Sequence, residues 1–184
     1  MLDPAPSSVP RVLMLPGFGG SADQPILVEL EEALRRRGLS ALRAALGPAR
    51  PSPGFERELD CVRTLSRSDP AIVAYLGRSF GGRVLARLAL ETRPRALVLL
   101  GFPVRSQAGT RRPEDEGVLA RLACPTLIVQ GAKDPLGSVR TLARLASRNR
   151  YLQLEVIRGA GHSFGRGQRE AVTAATAWLA RTLG

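Results

Sequence analysis

The sequence predicts an α/β domain, a six-stranded and mostly parallel sheet in the order 2-1-3-4-5-6 with helices on both faces and no lid domain. Two observations predict it. Short runs rich in Val, Ile and Leu alternate with longer segments of helical periodicity, and such alternation implies right-handed βαβ crossovers. The runs also differ in kind. AIVAYL, ALVLL and TLIVQ are almost continuously apolar, as strands covered on both faces must be, whereas ALRAAL and LQLEVI alternate or carry a charge. The second and sixth strands are therefore expected at the edges, which leaves a switch point for ligands between the first and third.

The first run, Arg11 to Leu15, stops at the glycine-rich turn Pro16-Gly-Phe-Gly-Gly20. A helix follows from Pro25, with Ile26, Leu27, Leu30, Ala33 and Leu34 on one stripe and Arg35 to Arg37 before the stop at Gly38. The remaining strands are expected at Ala41 to Leu46, Ala71 to Leu76, Ala96 to Leu100, Thr126 to Gln130 and Leu152 to Ile157. Helices are expected near Phe55 to Ser66, Gly82 to Thr92, Glu114 to Leu122, Leu136 to Ser147 and Gln168 to Leu183. Gly47 to Gly54 reads as a Pro-rich loop, and no internal repeat is visible.

With 184 residues, 44% of them hydrophobic, the chain suffices for one core: a single domain over 11–184 behind an extended or disordered segment 1–10. No apolar run approaches the roughly 18 residues of a membrane span. The opening MLDPAPSSVP lacks the basic and apolar regions of a secretory leader, so a cytoplasmic location is expected. Cys61 and Cys124 have neither disulfide-framework nor zinc-site spacing, and a single histidine, His162, argues against a His-built metal site. The net charge of +11 would suit a nucleic-acid partner, but all the basic residues except Lys133 are arginines, spread evenly from Arg11 to Arg181 without a basic stripe interleaved with aromatics.

Gly77-Arg-Ser79-Phe-Gly81-Gly82 ends the third strand and opens an amphipathic helix, the context in which a GxSxG turn lifts a serine hydroxyl above the sheet. A serine becomes a nucleophile only when a base removes its proton, so a histidine held by a carboxylate should follow in the order Ser, acid, His. His162 lies in the glycine-rich loop after the sixth strand, where that base belongs. Among carboxylates between the two, only Asp134 falls at the carboxyl end of a strand; Glu114, Asp115 and Glu116 are expected to be solvated on a surface helix. The tetrahedral oxyanion needs backbone donors, expected from Phe80 and from the loop after the first strand, at Phe18 or its neighbours Gly17 and Gly19. Gly17, Gly19 and Gly20 would let that loop approach the substrate closely.

The segments GRSFGGR, LGFP, QGAKDPLG and GAGHSFG together resemble the small dienelactone-hydrolase-like family of α/β-hydrolases, which includes bacterial proteins and the hydrolase-like domain of a testis-expressed protein. The resemblance runs from about Arg11 to Leu183 and implies a minimal α/β-hydrolase fold with Ser79 as nucleophile, Asp134 as acid and His162 as base. The chain departs from many α/β-hydrolases in having Pro16-Gly17 where they carry His-Gly. Some relatives with this domain act as scaffolds in larger complexes.

Phe102 to Gly117 leaves room for a loop and one short helix rather than a lid, so a shallow, open site is expected. Arg78 and Arg83 flank the nucleophile; a side chain facing the cleft would favour an anionic acyl or alcohol part, while Arg83 with Arg87 also reads as a solvent-facing i,i+4 pair. The expectation is a serine hydrolase of carboxylesterase or thioesterase type acting on a small ester or thioester, with no metal or organic cofactor. An inactive interaction module of the same fold, binding an acidic partner through its arginines, is the alternative.

Overall fold

The computed structural model describes residues 9–47 and 50–184, so residues 1–8 of the expected N-terminal segment and two positions of the Pro-rich loop lie outside the described residues. The strands are β1 (Arg11–Leu15), β2 (Ser40–Arg43), β3 (Ile72–Arg78), β4 (Ala96–Leu100), β5 (Thr126–Gly131) and β6 (Leu152–Ile157). They form one sheet in the order β2-β1-β3-β4-β5-β6, every neighbouring pair parallel, as the run composition predicts. The helices are α1 (Pro25–Arg35), α2 (Glu56–Ser68), α3 (Phe80–Thr92), α4 (Pro113–Arg121), α5 (Val139–Ala146) and α6 (Gln168–Leu183).

Alternation along the strands divides the core in two. Leu13, Leu15, Tyr75, Leu97 and Leu99 face α2, α3 and α4 together with Phe55 and Val62. Val12, Met14, Leu76, Val98 and Leu100 face α1 and α6, where Leu30, Val172 and Leu179 cover them. β4 at the centre is buried at every residue, whereas β2 at the edge is half-buried throughout. Among the described residues no helix is long and apolar enough to cross a membrane.

Most element ends fall within two residues of expectation, and the differences around β2, the β3–α3 turn and α5 each have a local reason. β2 ends at Arg43 rather than Leu46, because with a single neighbour the chain leaves the sheet after the Ala44 N–H donates to the Met14 carbonyl. β3 continues through Gly77 and Arg78, and α3 starts at Phe80 rather than Gly82, so Ser79 alone makes the turn between them. α5 starts at Val139 rather than Leu136, since residues 135–138 stay irregular and Ser138 caps the helix by accepting from the Thr141 N–H.

Candidate active site

Ser79 has φ 48° and ψ −110°, a region that non-glycine residues rarely occupy. The turn is pinned on both sides: its N–H donates to the Leu100 carbonyl at 2.8 Å, and its carbonyl accepts from the Arg83 N–H at 3.1 Å. Packing dictates the flanking glycines. A β-carbon on Gly77 would come within 2.5 Å of Gly82, and one on Gly81 would strike Leu15 and Pro16. The Gly81 N–H donates to the Pro16 carbonyl at 3.1 Å, which ties α3 to the loop after β1.

His162 Nε2 lies 2.9 Å from Ser79 Oγ, and its Nδ1 lies 2.8 Å from Asp134 Oδ2. The structure thus brings together the three residues that the sequence places at separate strand ends. The loops bearing Asp134 and His162 are bound to each other, Lys133 N–H to the Ala160 carbonyl at 2.8 Å and Ala132 N–H to the Ile157 carbonyl at 3.0 Å. Gly101, at φ 58°, passes beside the imidazole, where a β-carbon would sit 3.6 Å from the ring.

The Asp134 side chain is fully buried, and both oxygens are engaged. Oδ1 accepts from the Leu136 N–H at 2.8 Å, which explains why residues 135–138 do not join α5; Oδ2 accepts from Gln130 Nε2 at 2.5 Å as well as from His162. Burial pushes this carboxyl up, but the hydrogen bonds from His162, Leu136 and Gln130 outweigh it and hold Asp134 below the ordinary carboxylate value. A depressed folded-state pKa contributes stability that is complete above the unfolded value, near 4, and lost as pH falls through the folded one. In urea melts, the stability advantage of the wild type over Asp134→Asn is therefore expected to shrink below about pH 4. An advantage that stays constant to about pH 2 would contradict this.

Gln130 was not anticipated as a site residue. The available signal is a polar residue closing an otherwise apolar buried strand, and it is wholly buried beside Asp134. Gly137 leaves room for it, since a β-carbon there would collide with the Gln130 amide. Its Oε1 is buried and has no hydrogen-bond partner among the described residues.

Among the described residues neither the Phe18 nor the Phe80 amide donates a hydrogen bond. The Phe18 ring is 61% exposed and meets Phe80 edge-on, with centroids 5.9 Å apart. Beside Ser79 opens a cavity of about 490 Å³, walled by these two rings, Arg83, Leu136 and a loop that contributes Arg105 and Arg112. Gly17, Gly19 and Arg78 are not part of its lining. The Arg78 guanidinium instead lies over Gly17 and donates to Ser163 Oγ at 3.1 Å, bracing the histidine loop from behind.

Two expectations about charge are corrected. Asp115 and Glu116 are buried rather than solvated, and Arg83 and Arg87 are only 14% and 15% exposed rather than a solvent-facing pair. The segment after β4 folds α4 against α3, so that Arg83 Nε donates to Asp115 Oδ2 at 2.8 Å. Arg87 Nη1 faces the other oxygen at 2.8 Å, off the axis of a hydrogen bond. Both guanidinium groups also cover the Phe55 ring, at 4.7 and 4.6 Å from its centroid.

Residues 47–182 match the alpha/beta hydrolase domain family, and the chain belongs to it. An uncharacterized protein of Mycobacterium tuberculosis, Rv2307c, is 31% identical over 185 residues; the alignment covers 85% of this chain and 64% of that one. The chain thus spans less than two thirds of that relative's length. Among solved structures, Est1E from Butyrivibrio proteoclasticus superimposes with a TM-score of 0.81 at 17% identity, over 97% of this chain and 90% of that one. A dienelactone hydrolase from Anabaena variabilis gives 0.73 at 22% identity, over 94% and 84%. These likenesses establish the fold.

Proposed function

We propose that the protein is a serine hydrolase that cleaves a small ester or thioester through an acyl-Ser79 intermediate. The observation that carries this reading is the continuous chain from Ser79 Oγ through His162 to the buried carboxylate of Asp134, with links of 2.9 and 2.8 Å. In this mechanism Ser79 Oγ attacks the carbonyl carbon while His162 Nε2 takes its proton. Asp134 keeps the other imidazole proton on Nδ1, so that Nε2 presents a lone pair to the serine. The amides of Phe80 and Phe18 receive the negative charge on the carbonyl oxygen. Collapse of the tetrahedral species expels the alcohol or thiol, protonated by His162. Water, deprotonated by the same imidazole, then adds to the acyl-serine and releases the acid. The names of two structural neighbours, the dienelactone hydrolase and an esterase domain from Rhodothermus marinus, agree with ester chemistry.

A fluorophosphonate probe tests the nucleophile without knowledge of the substrate. Intact-mass analysis is expected to show one adduct per chain, the Ser79 oxygen bonded to phosphorus with fluoride lost, and none in Ser79→Ala or His162→Ala. A folded wild-type protein that resists labelling would overturn the enzyme reading and point to a binding role.

A further inference from the structure

We propose that the substrate carries a free carboxylate in addition to the bond that is cleaved, and that Arg112, assisted by Arg105, binds it in the cavity beside Ser79. The proposal rests on the serine-hydrolase reading and adds a substrate class to it. Three arginines line this cavity, Arg83, Arg105 and Arg112, and no aspartate or glutamate does among the described residues. The surrounding carboxylates do not balance them. Asp115, behind the wall, is already shared by Arg83 and Arg87, and Glu116 is taken by Arg111 and Arg144. Among the described residues Arg112 forms no ion pair, and Arg105 is anchored only to the Gly109 carbonyl through Nη1.

Arg112 is the distinctive member of this group. Its Nε is buried and has no hydrogen-bond partner among the described residues, so an N–H of a permanently charged group has been withdrawn from water without an acceptor. Its charge also adds to that of Arg83, whose guanidinium is held below its ordinary value by burial and by the neighbouring cations Arg112 and Arg87 against the pull of Asp115. A carboxylate in the cavity supplies the missing negative charge, and its two coplanar acceptors match the accessible part of the guanidinium fork. The rest of the cavity suits the connecting carbon chain, because Phe18, Phe80 and Leu136 offer apolar surface between the serine and the arginines. Half-esters or half-thioesters of small dicarboxylic acids combine these features.

The test compares kcat/KM for the mono-p-nitrophenyl ester of glutaric acid with that for the uncharged p-nitrophenyl ester of 5-methylhexanoic acid, at constant ionic strength. The acidic ester is expected to be preferred by about tenfold or more, the scale of one charge-assisted hydrogen bond. In R112Q the ratio of the two rates should fall toward one. In R181Q, which removes an exposed arginine of α6, it should persist, because a preference arising from the overall charge of +11 would not depend on position. Binding is read separately in the Ser79→Ala protein, where calorimetry should detect glutarate and lose it with R112Q added. Equal rates for the two esters in a protein that the fluorophosphonate labels would overturn the carboxylate site and leave the hydrolase reading standing. Inorganic phosphate that binds where glutarate does not would also overturn it. A folded protein that neither hydrolyses the esters nor takes the label would remove the underlying reading, and this proposal with it.

Discussion

Replacing Asp134 by asparagine is expected to slow acylation of Ser79 by roughly three to four orders of magnitude while leaving the protein folded. The reason lies in which atoms around this side chain can change roles. Leu136 donates a backbone N–H to Oδ1 and cannot do otherwise, so the new amide nitrogen must take the place of Oδ2. There it meets the Gln130 amide, which can rotate to present its otherwise unpartnered Oε1. The rearranged pair keeps the hydrogen bond between residues 130 and 134, with the Gln130 Nε2 now in the place where Oε1 had no partner, and the fold survives. The imidazole does not escape the change: an N–H now points at His162 Nδ1, so the ring must accept there and carry its proton on Nε2, facing the serine. A base already protonated on the side of its substrate cannot take the Ser79 proton. The second-order rate of fluorophosphonate labelling measures this directly, with a thermal melt as the control for folding. A rate within tenfold of wild type would mean that Asp134 does not orient the base.

Asp115→Ala is expected to cost about 3–5 kcal/mol of stability, the range for removing one partner from a buried ionic cluster. Asp115 is fully buried and faces two guanidinium groups that are themselves nearly covered, so solvent screens the cluster little. Its removal leaves Arg83 and Arg87 as like charges on adjacent turns of α3, both still stacked on Phe55. Urea denaturation reads the loss. A triple variant with Asp115→Leu, Arg83→Met and Arg87→Met separates mechanisms: an apolar replacement of the whole cluster should recover most of the stability. If the triple variant is as unstable as Asp115→Ala, the cost comes from packing rather than from stranded charge.

The two clusters differ in how far they were legible beforehand. A parallel sheet announces itself through continuous apolar runs, and a nucleophile on a strand-to-helix turn through the glycines that its backbone requires, so the sheet order and the positions of Ser79, Asp134 and His162 follow from local pattern. The Asp115 cluster has no such pattern. Its pairing depends on α4 folding against α3, a tertiary event invisible in the spacing of Arg83, Arg87 and Asp115, so charged residues that resemble a solvated face end up inside. Arg78 illustrates the same limit. Its neighbourhood to the nucleophile in sequence suggested a role in the cleft, but the absence of a side chain at Gly17 lets its guanidinium lie over that loop and reach Ser163 instead. The early start expected for α5 failed because helical periodicity cannot reveal that a backbone N–H, that of Leu136, is needed for the Asp134 carboxylate.

The convergence of Ser79, His162 and Asp134 also has a topological meaning. His162 stands 83 positions from Ser79 and 28 from Asp134, each on a different strand end, and the strained turn at Ser79 is held on one side by the Leu100 carbonyl of β4, a neighbouring strand. No local segment can rehearse this arrangement. Under the proposed mechanism, reactivity at Ser79 therefore arises only after the strands that carry Ser79, Asp134 and His162 have paired, and a chain short of that stage is expected to be inert toward esters. Labelling of Ser79 by the fluorophosphonate is then expected to serve as a gauge of completed folding, dark until the last long-range closure is made.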